Sequence, residues 1–146
     1  MEPRIQIDQL APKAYKAMFG LEQYLGTCSL SNPHKELIKI RASQINKCVF
    51  CIDMNTKDAL EIGETPQRIF LLPAWRETSL FTEEEKTLLE ITEEITLIHT
   101  NGLTDLTYKK ALTYFSEAYL SDIIVAVTVI NAWNRLAIST HKPITQ

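Results

Sequence analysis

A chain of 146 residues, 45% hydrophobic and 23% charged, has the make-up of one ordinary globular domain, residues 1–146, long enough to bury a substantial core. A net charge of −3 with no basic cluster leaves no electrostatic footprint for nucleic acid, and three cysteines are an odd number that argues against a secreted disulfide framework. Residues 1–9 carry charges and no apolar run, so no secretory leader is expected; the most apolar stretch, residues 123–138, is broken by Asn131, Asn134 and Arg135 and is short for a bilayer. No membrane partner follows, and the cytoplasm is the expected compartment.

The pattern is helical nearly throughout. Leu10, Ala14, Ala17, Met18, Leu21 and Leu25 recur at helical spacing, predicting a first amphipathic helix that ends near Gly26. Asn32-Pro33 opens the second, with Asn as cap and Pro at the first helical position, and Ile38, Ala42, Ile45 and Val49 as its apolar stripe. Asn46-Lys47 breaks it, and a third helix starts around Cys48 and runs to about Ile62, capped by Gly63. Thr65-Pro66 opens a short helix, and Pro73 with Trp75-Arg76-Glu77 forms an irregular or single-turn segment.

Thr82 and Glu85 make a capping box for a helix striped by Leu88, Ile91, Ile95 and Ile98 and ended by Asn101-Gly102. Tyr108, Ala111, Leu112, Phe115 and Tyr119 mark the next. Ser121 or Asp122 caps the last, apolar on most sides through Ile138 and therefore central or interfacial. No period-2 alternation bounded by hairpin turns is present, so the expected fold is all-α: a compact bundle of about seven helices.

Chemistry concentrates at Cys48-Val49-Phe50-Cys51. Two thiols three positions apart on a helix share a face, and can close a small disulfide or form half of a metal site. A helix N-terminus lowers a thiol pKa, which favours Cys48 as the more acidic of the two. Asn55 follows Cys51 by four residues on the same face, and Glu36, twelve residues before Cys48, is the best carboxylate for a general base. Buried inert thiols are the competing reading, because free cysteine is among the most buried residue types. A zinc site would have to recruit Cys28 and His34. The groups around Trp75-Arg76 and Trp133-Asn134-Arg135 suit either a pocket wall and subunit contact or a buried Trp with a local ion pair. His34 reads as a solvated surface residue, His99 as a partner of helix-end carbonyls, and Cys28 as a bystander.

The run from Glu36 through Arg41-Ala42-Ser43-Gln44-Ile45-Asn46-Lys47-Cys48-Val49-Phe50-Cys51 to Met54 resembles the AhpD-like alkylhydroperoxidase branch of the carboxymuconolactone decarboxylase family. So do Thr56-Lys57-Asp58-Ala59, Gly63-Glu64-Thr65, Ala74-Trp75-Arg76-Glu77, Phe81-Thr82-Glu83-Glu84-Glu85-Lys86 and Asn131-Ala132-Trp133-Asn134-Arg135, so the similarity covers nearly the whole chain.

The resemblance implies an all-α fold whose CxxC opens a helix, assembly as a trimer or hexamer, and thiol-dependent reduction of a hydroperoxide substrate with no metal or organic cofactor. It implies that Cys51 attacks the peroxide, that Cys48 is the resolving and more accessible thiol, that Glu36 manages protons, and that a dithiol protein or small thiol is the reductant. The family His four residues after the second cysteine is here Asn55, which can orient a water or hydroxyl but cannot take up a proton. Slow peroxidase chemistry is therefore expected. The alternatives are a non-enzymatic redox sensor or structural oligomer, and a cofactor-independent lactone decarboxylase of the same family.

Overall fold

The structure, a computed structural model, describes residues 1–145; Gln146, the end of the expected domain, lies outside the described residues. Eight α-helices and a 3-10 segment follow in chain order among the described residues. They are α1 (Ile7–Leu10), α2 (Pro12–Thr27), α3 (Asn32–Asn46), α4 (Val49–Glu61), α5 (Pro66–Leu71), the 3-10 segment (Leu72–Glu77), α6 (Glu83–Thr96), α7 (Asp105–Tyr114) and α8 (Glu117–Ser139). The described residues form no strand.

Local chemistry sets most of the ends. Thr65 caps α5 ahead of Pro66, and Thr82 and Glu85 complete the reciprocal capping box of α6. Gly63 takes φ +97°, a left-handed turn that a Cβ would strain, and so stops α4.

Four boundaries differ from the sequence reading. Ser31, not Asn32, caps α3, its hydroxyl accepting the His34 N–H, so Asn32 becomes the first helical residue. Helix α6 stops at Thr96 rather than at Asn101-Gly102, because the chain turns over 97–101 before Gly102 adopts φ +63°. Helix α7 ends at Tyr114, which separates Phe115 and Tyr119 from it. Helix α8 starts at Glu117 with Ser116 as cap, where the hydroxyl accepts the Tyr119 N–H; Ser121 and Asp122 are inside the helix.

Helix α3 is the organising element, packed against α4, α6 and α8. Leu37, Ile38, Ile40 and Ala42 on α3, Leu88, Leu89 and Ile91 on α6, and Ile123 and Val127 on α8 are buried in one continuous apolar cluster. A polar ladder crosses it. Asn46 donates its amide to Asn131 and Asn134, both at 2.9 Å, and Asn134, fully buried, donates to Ser43 at 3.0 Å. Buried amides satisfied this way fix the register of α3 against α8, since a slip would orphan each partner.

Two further expectations change. At 23 residues α8 is long and apolar enough to cross a membrane, contrary to the shorter stretch read from sequence, but 50% of its apolar window is buried inside the protein, as in a core helix. The stripe read on the first helix faces outward: Leu10, Ala14, Ala17 and Leu21 are exposed, and only Leu25 of α2 is fully buried. The partly covered side of α2 carries Met18 of that stripe together with Tyr15 and Glu22.

Candidate active site

The site begins where α3 gives way to α4. Lys47 takes a left-handed conformation (φ 59°, ψ 40°), and the Cys48 N–H returns to the Ser43 carbonyl at 3.0 Å. This tight reversal leaves Cys48 as the cap of α4. Its Sγ accepts the N–H of Cys51 at 3.4 Å, so the sequence expectation of a CxxC opening a helix is met. Cys48 and Cys51 are joined as a disulfide, with their Cα atoms 5.3 Å apart.

The two sulfurs differ in access. Both residues are buried, at 1% and 2% exposure, so exposure does not single out Cys48 as the more accessible. A cavity of about 330 Å³ reaches Cys51 and Asn55 but not Cys48. Its apolar wall is Phe50, Met54, Ile130, Leu136 and an aromatic trio in which Tyr15, Phe19 and Trp133 meet edge to face at 5.1–5.5 Å. Glu22 accepts the Trp133 indole N–H at 2.8 Å and locks that ring in place. Lys142 stands over the Phe50 ring at 4.8 Å.

Another wall comes from the chain's N-terminal residues, Gln6, Ile7 and Asp8. They are held across the end of α8 by hydrogen bonds from the Arg4 N–H and guanidinium to Thr140 and Ser139 carbonyls at 3.0 and 3.2 Å.

Asn55 is 1% exposed and neither its amide nitrogen nor its oxygen has a hydrogen-bond partner. A buried amide whose donor and acceptor have no protein partner, beside a cavity, can hydrogen-bond a molecule that reaches it. Glu36 lies one layer back, on α3. One carboxylate oxygen pairs with Lys39 at 2.8 Å and the other is buried and unpartnered. Burial raises its pKa above the ordinary value, Lys39 opposes that rise, and the cavity-lining carboxylates Asp58 and Glu22 add to it. Lys39 itself lines the cavity and Glu36 does not.

Of the four residues singled out by sequence, the structure therefore places Cys51 and Asn55 on the cavity wall, Cys48 behind Cys51, and Glu36 behind Lys39. The two Trp–Arg groups divide. Trp133 is a cavity wall. Trp75 is buried and donates to Glu93 at 2.7 Å, with Arg76 on the same carboxylate, so it serves the core.

His34, at the start of α3, is less solvated than the sequence reading has it and does not line the cavity. It sits half-buried against Tyr119, its Nδ1 2.7 Å from the hydroxyl, and burial lowers its pKa. His99 is exposed in the turn after α6. Cys28 remains a free thiol, and among the described residues no three of His, Cys, Asp and Glu gather as metal ligands, so Cys28 and His34 do not complete a zinc site with the pair. Sequence reasoning missed Tyr15, Phe19 and Glu22. Their spacing of four and three on one helical face was the available signal, but it was masked by the more apolar stripe beside it.

A family model for the carboxymuconolactone decarboxylase family matches residues 12–94. The uncharacterized protein YdfG of Bacillus subtilis is 41% identical over 139 residues, 95% of either chain. A solved structure of a protein of unknown function from Agrobacterium tumefaciens, proposed to be the antioxidant defence protein AhpD, superposes with a TM-score of 0.96 at 35% identity over 99% of both chains. The debrominase Bmp8, solved in complex with 2,3,4-tribromopyrrole, has a TM-score of 0.84 over 94% of this chain and 73% of its own; at 14% identity it shares the fold alone.

Proposed function

Since this chain belongs to the carboxymuconolactone decarboxylase family and has its AhpD-like fold, we propose that it is a thiol-dependent peroxidase that reduces organic hydroperoxides through a Cys48/Cys51 dithiol–disulfide cycle. The observation that carries this reading is the apolar cavity ending on Cys51 beside the unpartnered amide of Asn55.

In the first step the Cys51 thiolate attacks the terminal oxygen of ROOH. The O–O bond breaks, Cys51 becomes a sulfenic acid, and RO⁻ leaves and is protonated to the alcohol. In the second, the Cys48 sulfur attacks the Cys51 sulfenic sulfur, forming the disulfide and releasing water. Two thiols later restore the dithiol by exchange.

Asn55 donates its N–H to the substrate oxygen that gains charge and accepts from the peroxide O–H. Glu36, whose pKa burial raises above the ordinary carboxylate value, moves protons through Lys39 or a water, since it does not itself reach the cavity wall. The helix cap favours a thiolate at Cys48 while the cavity delivers peroxide to Cys51, so acidity and access are split between the two sulfurs. In this reading the working unit is a cytoplasmic homo-oligomer, a trimer or hexamer. Phe19, Leu21 and Tyr24 on α2 and Phe70 on α5, all exposed in the single chain, support a covered surface there.

The test is stopped-flow mixing of the reduced protein with cumene hydroperoxide, followed by mass spectrometry. A Cys48–Cys51 disulfide formed in step with alcohol release, and abolished by Cys51→Ser, is the expected result. Thiols that stay reduced in excess peroxide, or a Cys51→Ser protein that consumes peroxide at the wild-type rate, overturn the reading.

A further inference from the structure

The cavity touches the residues that the proposed reaction uses, yet barely opens onto them. Cys51 is 2% exposed and Asn55 1%, and both amide atoms of Asn55 are shielded from solvent. Attack on a hydroperoxide brings the terminal oxygen to within about 3–3.5 Å of the sulfur, in line with the O–O bond. A molecule larger than water has no such approach in this conformation, so one wall of the cavity has to move.

The walls differ in what holds them. Phe50, Met54 and Asn55 stand on α4, and Ile130, Trp133, Leu136 and Ala137 on α8; both helices pack against α3. Tyr15, Phe19 and Glu22 on α2 are fastened to α8 by the ring contacts with Trp133 and by the Glu22–Trp133 hydrogen bond at 2.8 Å. The remaining wall, Gln6, Ile7 and Asp8, belongs to an N-terminal segment in which none of residues 1–10 is buried.

The long-range hydrogen bonds of that segment converge on the end of α8. The Arg4 N–H and guanidinium donate to the Thr140 and Ser139 carbonyls at 3.0 and 3.2 Å, the Gln6 amide donates to the Thr140 carbonyl at 3.4 Å, and His141 Nδ1 lies 3.0 Å from the Glu2 carbonyl. The last carbonyls of a helix have no partner within it, so water can replace these donors at small cost. Ala11, at φ −132° and ψ 59°, breaks the helical path between α1 and α2 and supplies a hinge. A segment without buried residues, held by a few mostly solvent-facing hydrogen bonds, is the part of a fold that opens first.

Resting on the reading of Cys51 as the peroxide-attacking thiol, we infer that residues 1–10 are a lid over the cavity: they hinge at Ala11, and release of their ties to residues 139–141 admits a hydroperoxide to Cys51. Closure returns Cys51 and Asn55 to a water-excluded centre.

The experiment uses reduced full-length protein carrying Cys28→Ser and Cys48→Ser, so that Cys51 is the one thiol, and follows its alkylation by N-ethylmaleimide. No peroxide enters, so the lid can fail while the peroxidase reading stands, and the reverse. Adding Arg4→Ala and Gln6→Ala removes three side-chain hydrogen bonds of the segment and should speed alkylation at least about tenfold, given the usual net worth of such bonds. Glu22→Ala, which loosens the α2 wall instead, should leave the rate within about threefold. With the lid residues intact, alkylation should depend weakly on urea below the unfolding transition, because opening the lid exposes little surface compared with unfolding. A rate unmoved by the Arg4→Ala/Gln6→Ala pair, a larger acceleration by Glu22→Ala, or a urea dependence as steep as that of global unfolding overturns the inference.

Discussion

Glu36 and Lys39, one turn apart on α3, share a 2.8 Å ion pair that leaves the second carboxylate oxygen of Glu36 buried without a partner. Burial outweighs the lysine, and the folded-state pKa of Glu36 lies above its ordinary 4.5. A carboxyl whose pKa rises on folding contributes most below the unfolded value, and that contribution is lost as pH rises through the folded value. Glu36→Gln should therefore gain thermal stability over wild type at pH 7 and little at pH 4. Its rate of disulfide formation with cumene hydroperoxide should fall by about 10²–10⁴-fold, the usual worth of positioned acid–base help. Melting curves at the two pH values check the first half; an equal difference at both would mean that Lys39 cancels the burial cost.

Asn55 offers the complementary experiment, because its two amide atoms are buried and unpartnered while apolar atoms of the same shape would need no partner. Asn55→Leu should stabilise the protein by roughly 1–3 kcal/mol in urea unfolding and remove peroxide reactivity. Asn55→His should do the opposite for rate, accelerating disulfide formation by at least about tenfold, with the gain growing as pH rises past about 6.5 and the imidazole becomes a base. A histidine variant with no gain would show that proton transfer does not limit this site.

Glu93 is the hub behind the 3-10 segment, accepting from Arg41 at 2.9 Å and from Trp75 and Arg76 at 2.7 Å. Burial works against its ionisation, yet the hydrogen bonds from Arg76, Trp75 and Arg41 prevail and hold its pKa below the ordinary value. Glu85, hydrogen-bonded and ion-paired with Arg68, is lowered in the same way against its own burial. Both contribute stability that is present above the unfolded value of 4.5 and is lost as pH falls through their folded values. Glu93→Ala should cost about 2–3 kcal/mol at pH 7, discounted for the exposed Arg76, and the deficit should shrink below pH 4. Chemical unfolding across that range measures it; a deficit independent of pH would make the loss one of packing.

Lys47 sits at φ 59° in the turn that delivers Cys48 to the start of α4. That conformation strains a side chain bearing a Cβ and suits glycine. Lys47→Gly should raise stability by about 0.5–1 kcal/mol, read from the urea midpoint at unchanged slope. A loss would show that the lysine side chain holds the turn by contacts of its own.

Much of this molecule was local and so readable along the chain. The caps at Thr65 and Thr82, the stop at Gly63 and the break at Lys47 depend on a few neighbouring residues, and each stands where the residue types put it. The Cys48–Cys51 pair at a helix start is local in the same sense. The end of α6 at Thr96 and the start of α8 at Glu117 were less legible, because apolar residues beyond each boundary continue a helical spacing that the turns interrupt.

What the sequence by itself determined was the all-helical architecture, the family and the cysteine pair that closes a disulfide at the start of α4. Backbone hydrogen bonding, capping and three-residue spacing are short-range, and composition carries them. Only the tertiary structure decided that Cys51 and not Cys48 faces a cavity, that Glu36 stands behind Lys39, that Asn55 is buried with both amide atoms free, and that Tyr15, Phe19 and Trp133, from opposite ends of the chain, form one wall. Those are properties of how α2, α3, α4 and α8 pack, and burial between helices distant in sequence has no periodic signature within any one of them.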